Sequence, residues 1–119
     1  MASMLDHLSK SFPVAAAPCA TEDIGQRQWH VLEDVMPYPL ATLRTPALTH
    51  NLDWMQAWAK RKGVGLAPHG KTTLSPELFR MQLQAGAWGM TVANVHQLQL
   101  ALEVGAQRCI IANQVLADA

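Results

Sequence analysis

Apolar residues recur at helical spacing in one long segment of the chain, over residues 47–62. They are Leu48, Leu52, Met55 and Ala59, with Trp58 beside them. Intervals of three and four residues place the first four on one face of an α-helix, so the pattern predicts an amphipathic helix. Gly63 is suited to end this helix, because glycine readily adopts the left-handed conformation found at helix C-termini. The apolar run 64–67 then predicts a short buried strand.

Ser75 marks the start of the next predicted helix. It is followed by Pro76, which is favoured at the first helical position, and by Glu77, an acid in the first turn. Gly86 is suited to end this helix, and the apolar run 90–93 predicts the next strand.

Asn94 begins a second copy of the same pattern. It can cap a helix that ends at Gly105, and the apolar run 109–112 predicts a further strand. Gly86 and Gly105 lie nineteen residues apart, and each is followed by the same Ala-Asn pair at equal spacing. Helices that alternate with continuous apolar runs favour parallel strands covered by helices, as in consecutive αβ units of a barrel. A short-period solenoid is the alternative, disfavoured because the preceding interval, from Gly63, is twenty-three residues.

The pattern is weaker in residues 1–43. It predicts a short helix over 5–12, a Pro/Ala linker over 13–18, and a second helical stretch over 29–36 that prolines interrupt. None of these segments carries a chemical signature. We therefore expect a leading segment over 1–43 and the first αβ units over 44–119.

Composition narrows the class of protein. Half of the 119 residues are apolar, 15% are charged, and nine basic residues balance nine acidic ones. This balance predicts a globular protein with no nucleic-acid or anionic-membrane partner. No run is long enough for a membrane span and no signal pattern begins the chain, so we expect a cytoplasmic protein. Cys19 and Cys109 are isolated thiols, and no metal site is expected among these residues. The tryptophans are expected to serve in packing; they include Trp54, Trp58 and Trp88.

The segment Gly65–Thr72 matches the phosphate-loop pattern G-x-x-x-x-G-K-[ST] letter for letter. Such a loop needs a buried strand before the first glycine and a helix that begins at the Lys-Thr pair. Here a helix end precedes Gly65, Pro68 lacks a backbone donor, and the helix start lies at Ser75. A nucleotide-binding loop is therefore the weaker interpretation.

In the competing interpretation, Lys71 follows the carboxyl end of the strand predicted over 64–67. Barrel enzymes build their active sites at that end. A lysine there can be partly buried, which disfavours its charged form and frees the amine to act as a nucleophile. A neutral amine can condense with the aldehyde of pyridoxal phosphate (PLP) to form a Schiff base.

Several motifs resemble a known family in order and spacing. They are Thr45-Pro-Ala-Leu48, Asn51-Leu52, Pro68-His-Gly-Lys71-Thr72, Met90-Thr-Val-Ala93 and Ile110-Ile-Ala-Asn-Gln-Val115. Over about residues 44–116 the chain resembles the N-terminal part of D-threonine aldolase / D-serine dehydratase-like proteins. These are alanine-racemase-type (fold type III) PLP enzymes, some of which are amino acid deaminases. The most specific motif is Pro-His-x-Lys-Thr, although Gly70 stands where the family often has a larger residue.

The resemblance implies an α/β fold, the N-terminal portion of a (β/α)8 PLP-binding barrel. Such a barrel needs about 250 residues, so we expect an incomplete barrel that lacks the later phosphate-binding strands and the C-terminal domain. Any divalent metal would bind in that missing part. The full-length relative would be a homodimeric lyase or deaminase acting on a small D-amino acid, by dehydration or by retro-aldol cleavage. A non-catalytic PLP-binding protein with the same barrel start is the alternative.

By the same resemblance, Lys71 is the catalytic lysine and carries the cofactor. His69 lies two residues earlier and could contact the pyridine ring or tune the lysine. Thr72, Asn94 and Gln114 follow predicted strands and could lie near the cofactor. Asn94 has a strong alternative role as a helix cap.

Overall fold

The structure is a computed structural model that describes residues 4–33 and 35–115. The chain divides into two compact units, Met1–Leu43 and Arg44–Ala119. Within the described ranges, no helix has the length and apolar character needed to cross a membrane.

The first unit contains a small antiparallel pair and a 3-10 helix. Strand β1 (Met4–Leu5) pairs with β2 (Cys19–Ala20), and the 3-10 helix Thr21–Arg27 follows directly. The buried ring of Phe12 packs edge-on against Trp29, with ring centroids 5.3 Å apart. This 3-10 helix was not predicted, although it carries acids in its first turn and an arginine in its last.

The helix predicted over 5–12 is wrong. The Asp6 carboxylate accepts a hydrogen bond from the Leu8 N–H at 2.9 Å, and the Ser9 hydroxyl accepts one from the Asp6 N–H at 3.2 Å. Such local side-chain bonds satisfy the backbone in a turn and compete with helix formation. Ser11 then adopts a positive φ of 63°, which a helix interior does not allow.

The helical stretch predicted over 29–36 is also wrong for its described residues; position 34 lies outside them. His30 organises a turn instead. Its carbonyl accepts from the Glu33 N–H at 3.1 Å, and its ring Nδ1 accepts from the Leu32 N–H at 3.3 Å.

The described part of the second unit, residues 44–115, contains three helices and a parallel strand pair. The elements are α1 (Thr45–Lys62), α2 (Pro76–Gln84), β3 (Met90–Val92), α3 (Val95–Glu103) and β4 (Cys109–Ile111). In the parallel pair, Thr91 lies opposite Ile110. This arrangement confirms the predicted α/β class.

The predicted helix ends are confirmed. Gly63 ends α1 with a φ of 65°, and Gly86 and Gly105 follow α2 and α3 with φ values of 106° and 97°. The Ser75 hydroxyl accepts from the Leu78 N–H at 3.4 Å, and the Asn94 carbonyl oxygen accepts from the Gln97 N–H at 2.9 Å. These side chains therefore cap α2 and α3.

The strand predicted over 64–67 is wrong in its extent and its burial. A single parallel bridge joins His69 to Thr91, built from the Thr91 N–H to the Pro68 carbonyl and the Gly70 N–H to the Thr91 carbonyl, both at 2.8 Å. Pro68 has no N–H to donate, which interrupts the ladder, although the Trp88 N–H donates to the Leu66 carbonyl at 2.8 Å. Val64 is 52% exposed rather than buried.

The core lies between the helices and one face of the strands. It consists of Phe79, Met90, Val92, Ala101 and Ala106. Since side chains alternate along a strand, Thr91 and Ile110 point away from this core, and Ile110 is 46% exposed. The sheet therefore has one face covered by helices and one open face.

The expectation that the tryptophans serve in packing is wrong for three of them. Trp54, Trp58 and Trp88 are all exposed. The first two lie on α1, and the guanidinium of Arg108 lies over the ring of Trp88, 5.4 Å from its centroid.

Candidate functional site

Lys71 lies just beyond the segment that pairs with β3. Because the paired segments are parallel, their carboxyl ends meet at one edge of the sheet, here called the carboxyl edge. The register brings Lys71 and Thr72 to the same edge as Asn94, which follows β3, and Gln114, which follows β4. The structure thus places Lys71, Thr72, Asn94 and Gln114 at one edge, with His69 inside the paired segment opposite Thr91, while their roles stay predictions.

Gly70 anchors the turn that presents Lys71. Its N–H donates to the Thr91 carbonyl, and its own carbonyl accepts from the N–H groups of Thr73 and Leu74 at 3.3 and 3.0 Å. Leu74 closes the turn with a positive φ of 45°. Backbone hydrogen bonds on both sides of Lys71 therefore fix where its side chain starts.

Phe79 of α2 requires glycine at position 70. A Cβ atom on Gly70 would collide with Cζ of Phe79, and the Phe79 side chain is fully buried. This is far inside van der Waals contact, so the ring occupies the place of a side chain. The larger residue that the family often has at this position does not fit here.

His69 binds the backbone of the catalytic candidate. Its ring Nδ1 accepts from the Lys71 N–H at 3.2 Å. This bond ties the His69 ring to the backbone at Lys71. His69 is exposed, and Nε2 faces no partner among the described residues.

Lys71 is exposed, so its predicted partial burial is wrong. The turn 71–74 projects beyond the carboxyl edge and is exposed along its whole length, which leaves nothing to desolvate the amine. Within residues 4–33 and 35–115, the ion pair observed joins Arg80 and Glu77 at 3.8 Å and does not involve this lysine. The Lys71 amine is therefore accessible to a small molecule in solution.

Asn94 acts as the helix cap that was its alternative role, since its carbonyl oxygen accepts from Gln97. Its side-chain nitrogen makes no hydrogen bond to another described residue and remains available as a donor. The Gln114 N–H donates to the Asn113 side chain at 2.8 Å, and the Asn113 amide in turn donates to the Ala93 carbonyl at 3.1 Å. Thr72 is exposed in the Lys71 turn.

Two residues that support the carboxyl edge were missed. Gln97 is buried, and its Oε1 accepts from the Ala93 N–H at 2.8 Å, which ties the end of β3 to α3. The Asn-x-x-Gln spacing resembles a capping box and could have revealed it. The Thr91 hydroxyl donates to the Ala67 carbonyl at 2.7 Å. A lone threonine in a strand gives no such signal in the sequence.

The backbone around Lys71 does not form a phosphate loop. Helix α2 begins at Pro76, five residues beyond Lys71, rather than at the Lys-Thr pair. The N–H groups of Gly70, Lys71 and Thr73 are already bound to acceptors of the same segment or of β3. They cannot cradle a phosphate, which argues against nucleotide binding here.

The described residues contain no cluster of three or more His, Cys, Asp or Glu side chains that could hold a metal ion.

Cys19 and Cys109 are free thiols. Burial raises the pKa of the Cys109 thiol, and a backbone hydrogen bond from Met90 opposes this rise only in part.

Comparison with known proteins identifies related sequences and structures. No protein-family profile matches the chain. D-threonine aldolase from Arthrobacter sp is 38% identical over 88 residues, which cover 68% of this chain and 23% of that protein. The crystal structure of D-threonine aldolase from Filomicrobium marinum matches with a TM-score of 0.65 and 30% identity, over 69% of this chain and 22% of that one. The chain thus spans less than a quarter of the length of the relatives it matches, and the resemblance predicted from its motifs is confirmed: it is related to one segment of the D-threonine aldolases.

Proposed function

We propose that this chain carries the cofactor-binding lysine of a PLP-dependent lyase that acts on D-amino acids by aldol cleavage. The observation that carries the proposal is Lys71, set in a Pro-His-Gly-Lys-Thr turn at the carboxyl edge of parallel strands. Similarity to two D-threonine aldolases supports the same assignment. PLP, when bound, supplies an electron sink for the carbon from which the substrate loses a group.

The open face of the sheet supports a barrel in the full-length protein. Met90 and Val92 pack under helices, whereas Ile110 stays exposed on the other face. A (β/α)8 barrel covers its strands with helices outside and fills the inside with side chains from the remaining strands. Further parallel strands would cover Ile110 in this way and would place Lys71 at the barrel mouth.

The residues around Lys71 fit the covalent binding of an aldehyde. The accessible amine, once it has lost its proton, can attack a carbonyl carbon. His69 and the Gly70 turn hold the Lys71 backbone, so the side chain starts from a fixed point. The Asn94 amide and the Thr72 hydroxyl lie at the same edge and can donate hydrogen bonds to oxygen atoms of a bound ring.

Reductive labelling tests this assignment. The protein is mixed with PLP and borohydride, and the labelled lysines are identified by peptide mass mapping. We expect Lys71 to be labelled before the exposed lysines of α1, Lys60 and Lys62. Lys71→Arg should remove the label, because it keeps the charge but cannot form the bond, while the matched control Lys60→Arg should retain it. Equal labelling of all exposed lysines would refute a dedicated site.

The full-length protein tests the reaction. Aldol cleavage of a D-β-hydroxy amino acid releases glycine and an aldehyde, whereas dehydration releases ammonia and a keto acid. We expect glycine, with the L-substrate as the control. Ammonia as the main product would favour the dehydratase type, and labelling of Lys71 without turnover would favour a non-catalytic PLP-binding protein. Protection from proteolysis by Mg-ATP, with no PLP label, would instead indicate a nucleotide site.

A further inference from the structure

The strand pair β3–β4 ends at the carboxyl edge, where β3 turns into α3. The Ala112 N–H donates to the Val92 carbonyl at 2.8 Å, as the parallel ladder requires. The next carbonyl in this register, that of Asn94, accepts from the Leu98 N–H at 3.0 Å and so belongs to α3. The Gln114 N–H, which a longer ladder would pair with that carbonyl, therefore needs another acceptor.

Asn113 supplies this acceptor with its side chain. Its Oδ1 accepts from the Gln114 N–H at 2.8 Å, and its Nδ2 donates to the Ala93 carbonyl at 3.1 Å. One amide group thus binds the backbone at the ends of both strands. Exchange of its oxygen and nitrogen would set acceptor against acceptor and donor against donor, so the two contacts fix the orientation of the amide.

Ala93 is held on both sides by side-chain amides. Its N–H donates to Oε1 of the buried Gln97 at 2.8 Å, and its carbonyl accepts from Asn113. Asn94 follows directly in an extended conformation, with φ −157° and ψ 173°, and its Oδ1 caps α3. The Asn94 Nδ2 makes no hydrogen bond to another described residue. This donor therefore faces the carboxyl edge from a backbone that Gln97 and Asn113 fix.

We propose that Asn113 is a positioning residue for the PLP site and acts through Asn94. The inference rests on the proposed function, in which the Asn94 amide donates a hydrogen bond to an oxygen atom of the bound ring. Hydrogen bonds weaken steeply when donor and acceptor are misaligned. Lys71 lies on a different segment, whose backbone His69 and Gly70 hold. Asn113 therefore affects the strength of PLP binding and leaves the reactivity of the lysine amine unchanged.

PLP titration of the full-length protein tests the role of Asn113. The dissociation constant is measured at pH 8 from the visible absorbance of bound PLP, and the rate constant for borohydride labelling of Lys71 is measured at saturating PLP. Asn113→Leu is similar in size and uncharged, and it removes both hydrogen bonds. We expect it to raise the dissociation constant about 10-fold and to leave the labelling rate constant unchanged. Circular dichroism should show that the variant is folded, since Asn113 is exposed.

Asn113→His is the conservative variant that should rescue binding. Its ring Nδ1 lies at the same distance along the side chain as the asparagine amide nitrogen, and the neutral tautomer protonated there can donate to the Ala93 carbonyl. We expect it to restore most of the PLP affinity. Gln107→Leu is the matched control, because it removes an exposed amide just before β4, at the opposite end of that strand. It should leave both measured quantities unchanged.

A double substitution separates positioning from a general loosening of the carboxyl edge. In an Asn94→Ala background, Asn113→Leu should raise the dissociation constant no further, because the group through which it acts is absent. Unchanged PLP affinity in Asn113→Leu would overturn the inference, as would a full effect in the Asn94→Ala background or an altered labelling rate at saturating PLP. Saturable labelling of Lys71 in those same proteins would still support the proposed function. Labelling of Lys71 that does not saturate in the wild type would refute the proposed function, and this inference with it.

Discussion

The covered face of the sheet and its carboxyl edge are held together by different forces. On the covered face, Phe79, Met90 and Val92 are fully buried and make no polar contact through their side chains. At the carboxyl edge, Lys71 and His69 are exposed and are positioned by hydrogen bonds to backbone groups. The difference implies that substitutions of the buried face residues change stability, while substitutions of the exposed Lys71 and His69 change chemistry. The two regions meet at Gly70, which lies against Phe79.

Replacement of Phe79 by alanine should have the largest effect on stability. A fully buried phenylalanine leaves a cavity, so we expect a loss of about 3–5 kcal/mol in the free energy of unfolding. Urea denaturation followed by circular dichroism measures it. Lys71→Ala is the matched comparison at the edge and should change stability by less than about 0.5 kcal/mol. Similar losses of unfolding free energy in both variants would contradict the distinction between the covered face and the carboxyl edge.

Replacement of Gly70 by alanine should destabilise by about 1–3 kcal/mol, because the new methyl group collides with the Phe79 ring. Combination with Phe79→Leu should recover part of this loss, and the double-mutant cycle measures the coupling. Gly25→Ala is the control, since a Cβ there meets nothing within 4 Å. Strictly additive losses of stability at positions 70 and 79 would show that the two residues are not energetically coupled.

Replacement of Asn94 by alanine should cost about 1 kcal/mol, the usual value of a helix N-cap. Asn94→Ser keeps a cap and should restore most of that stability in urea denaturation. Serine does not provide the amide N–H groups, so any loss of PLP affinity through the proposed contact should persist in Asn94→Ser. If both variants bind PLP like the wild type, Asn94 is a cap and nothing more.

Replacement of His69 by alanine should leave stability within about 0.5 kcal/mol of the wild type, because the side chain is exposed. It should, however, slow reductive labelling of Lys71, since the turn loses the acceptor for the Lys71 N–H. His69→Asn offers an oxygen at the same distance along the side chain and should restore the rate. Equal rates in all three proteins would exclude a positioning role.

The smallest effect concerns Cys109. Because burial raises its pKa, a smaller fraction of the thiol is ionised at neutral pH, and a thiol-specific reagent should react slowly with the folded protein. The unfolded chain ionises first as the pH rises, so this group lowers stability above the ordinary thiol pKa. Chemical modification followed across alkaline pH in a Cys19→Ser background checks both points. Reaction as fast as that of the unfolded chain would contradict the burial.

Sequence alone located the elements whose signals are local. Ser75 and Asn94 as caps and Gly63 as a helix end follow from residue type and spacing, and the structure confirms them. The Phe79–Gly70 contact and the Thr91–Ala67 hydrogen bond each join residues of different elements, so no local pattern could indicate them. In the first unit, Asp6 and His30 bind neighbouring backbone groups and override the apolar periodicity that predicted helices.

The hydroxyl of Thr91 adds a link between β3 and the segment before Lys71. Pro68 has no N–H to donate to the ladder, and the Thr91 side chain donates to the neighbouring Ala67 carbonyl at 2.7 Å. Gly70, which is buried against Phe79, holds the same segment by packing. The exposed turn that carries Lys71 therefore starts from a base fixed both by hydrogen bonds and by packing, so the reach of the amine is set by the rotamers of its own side chain.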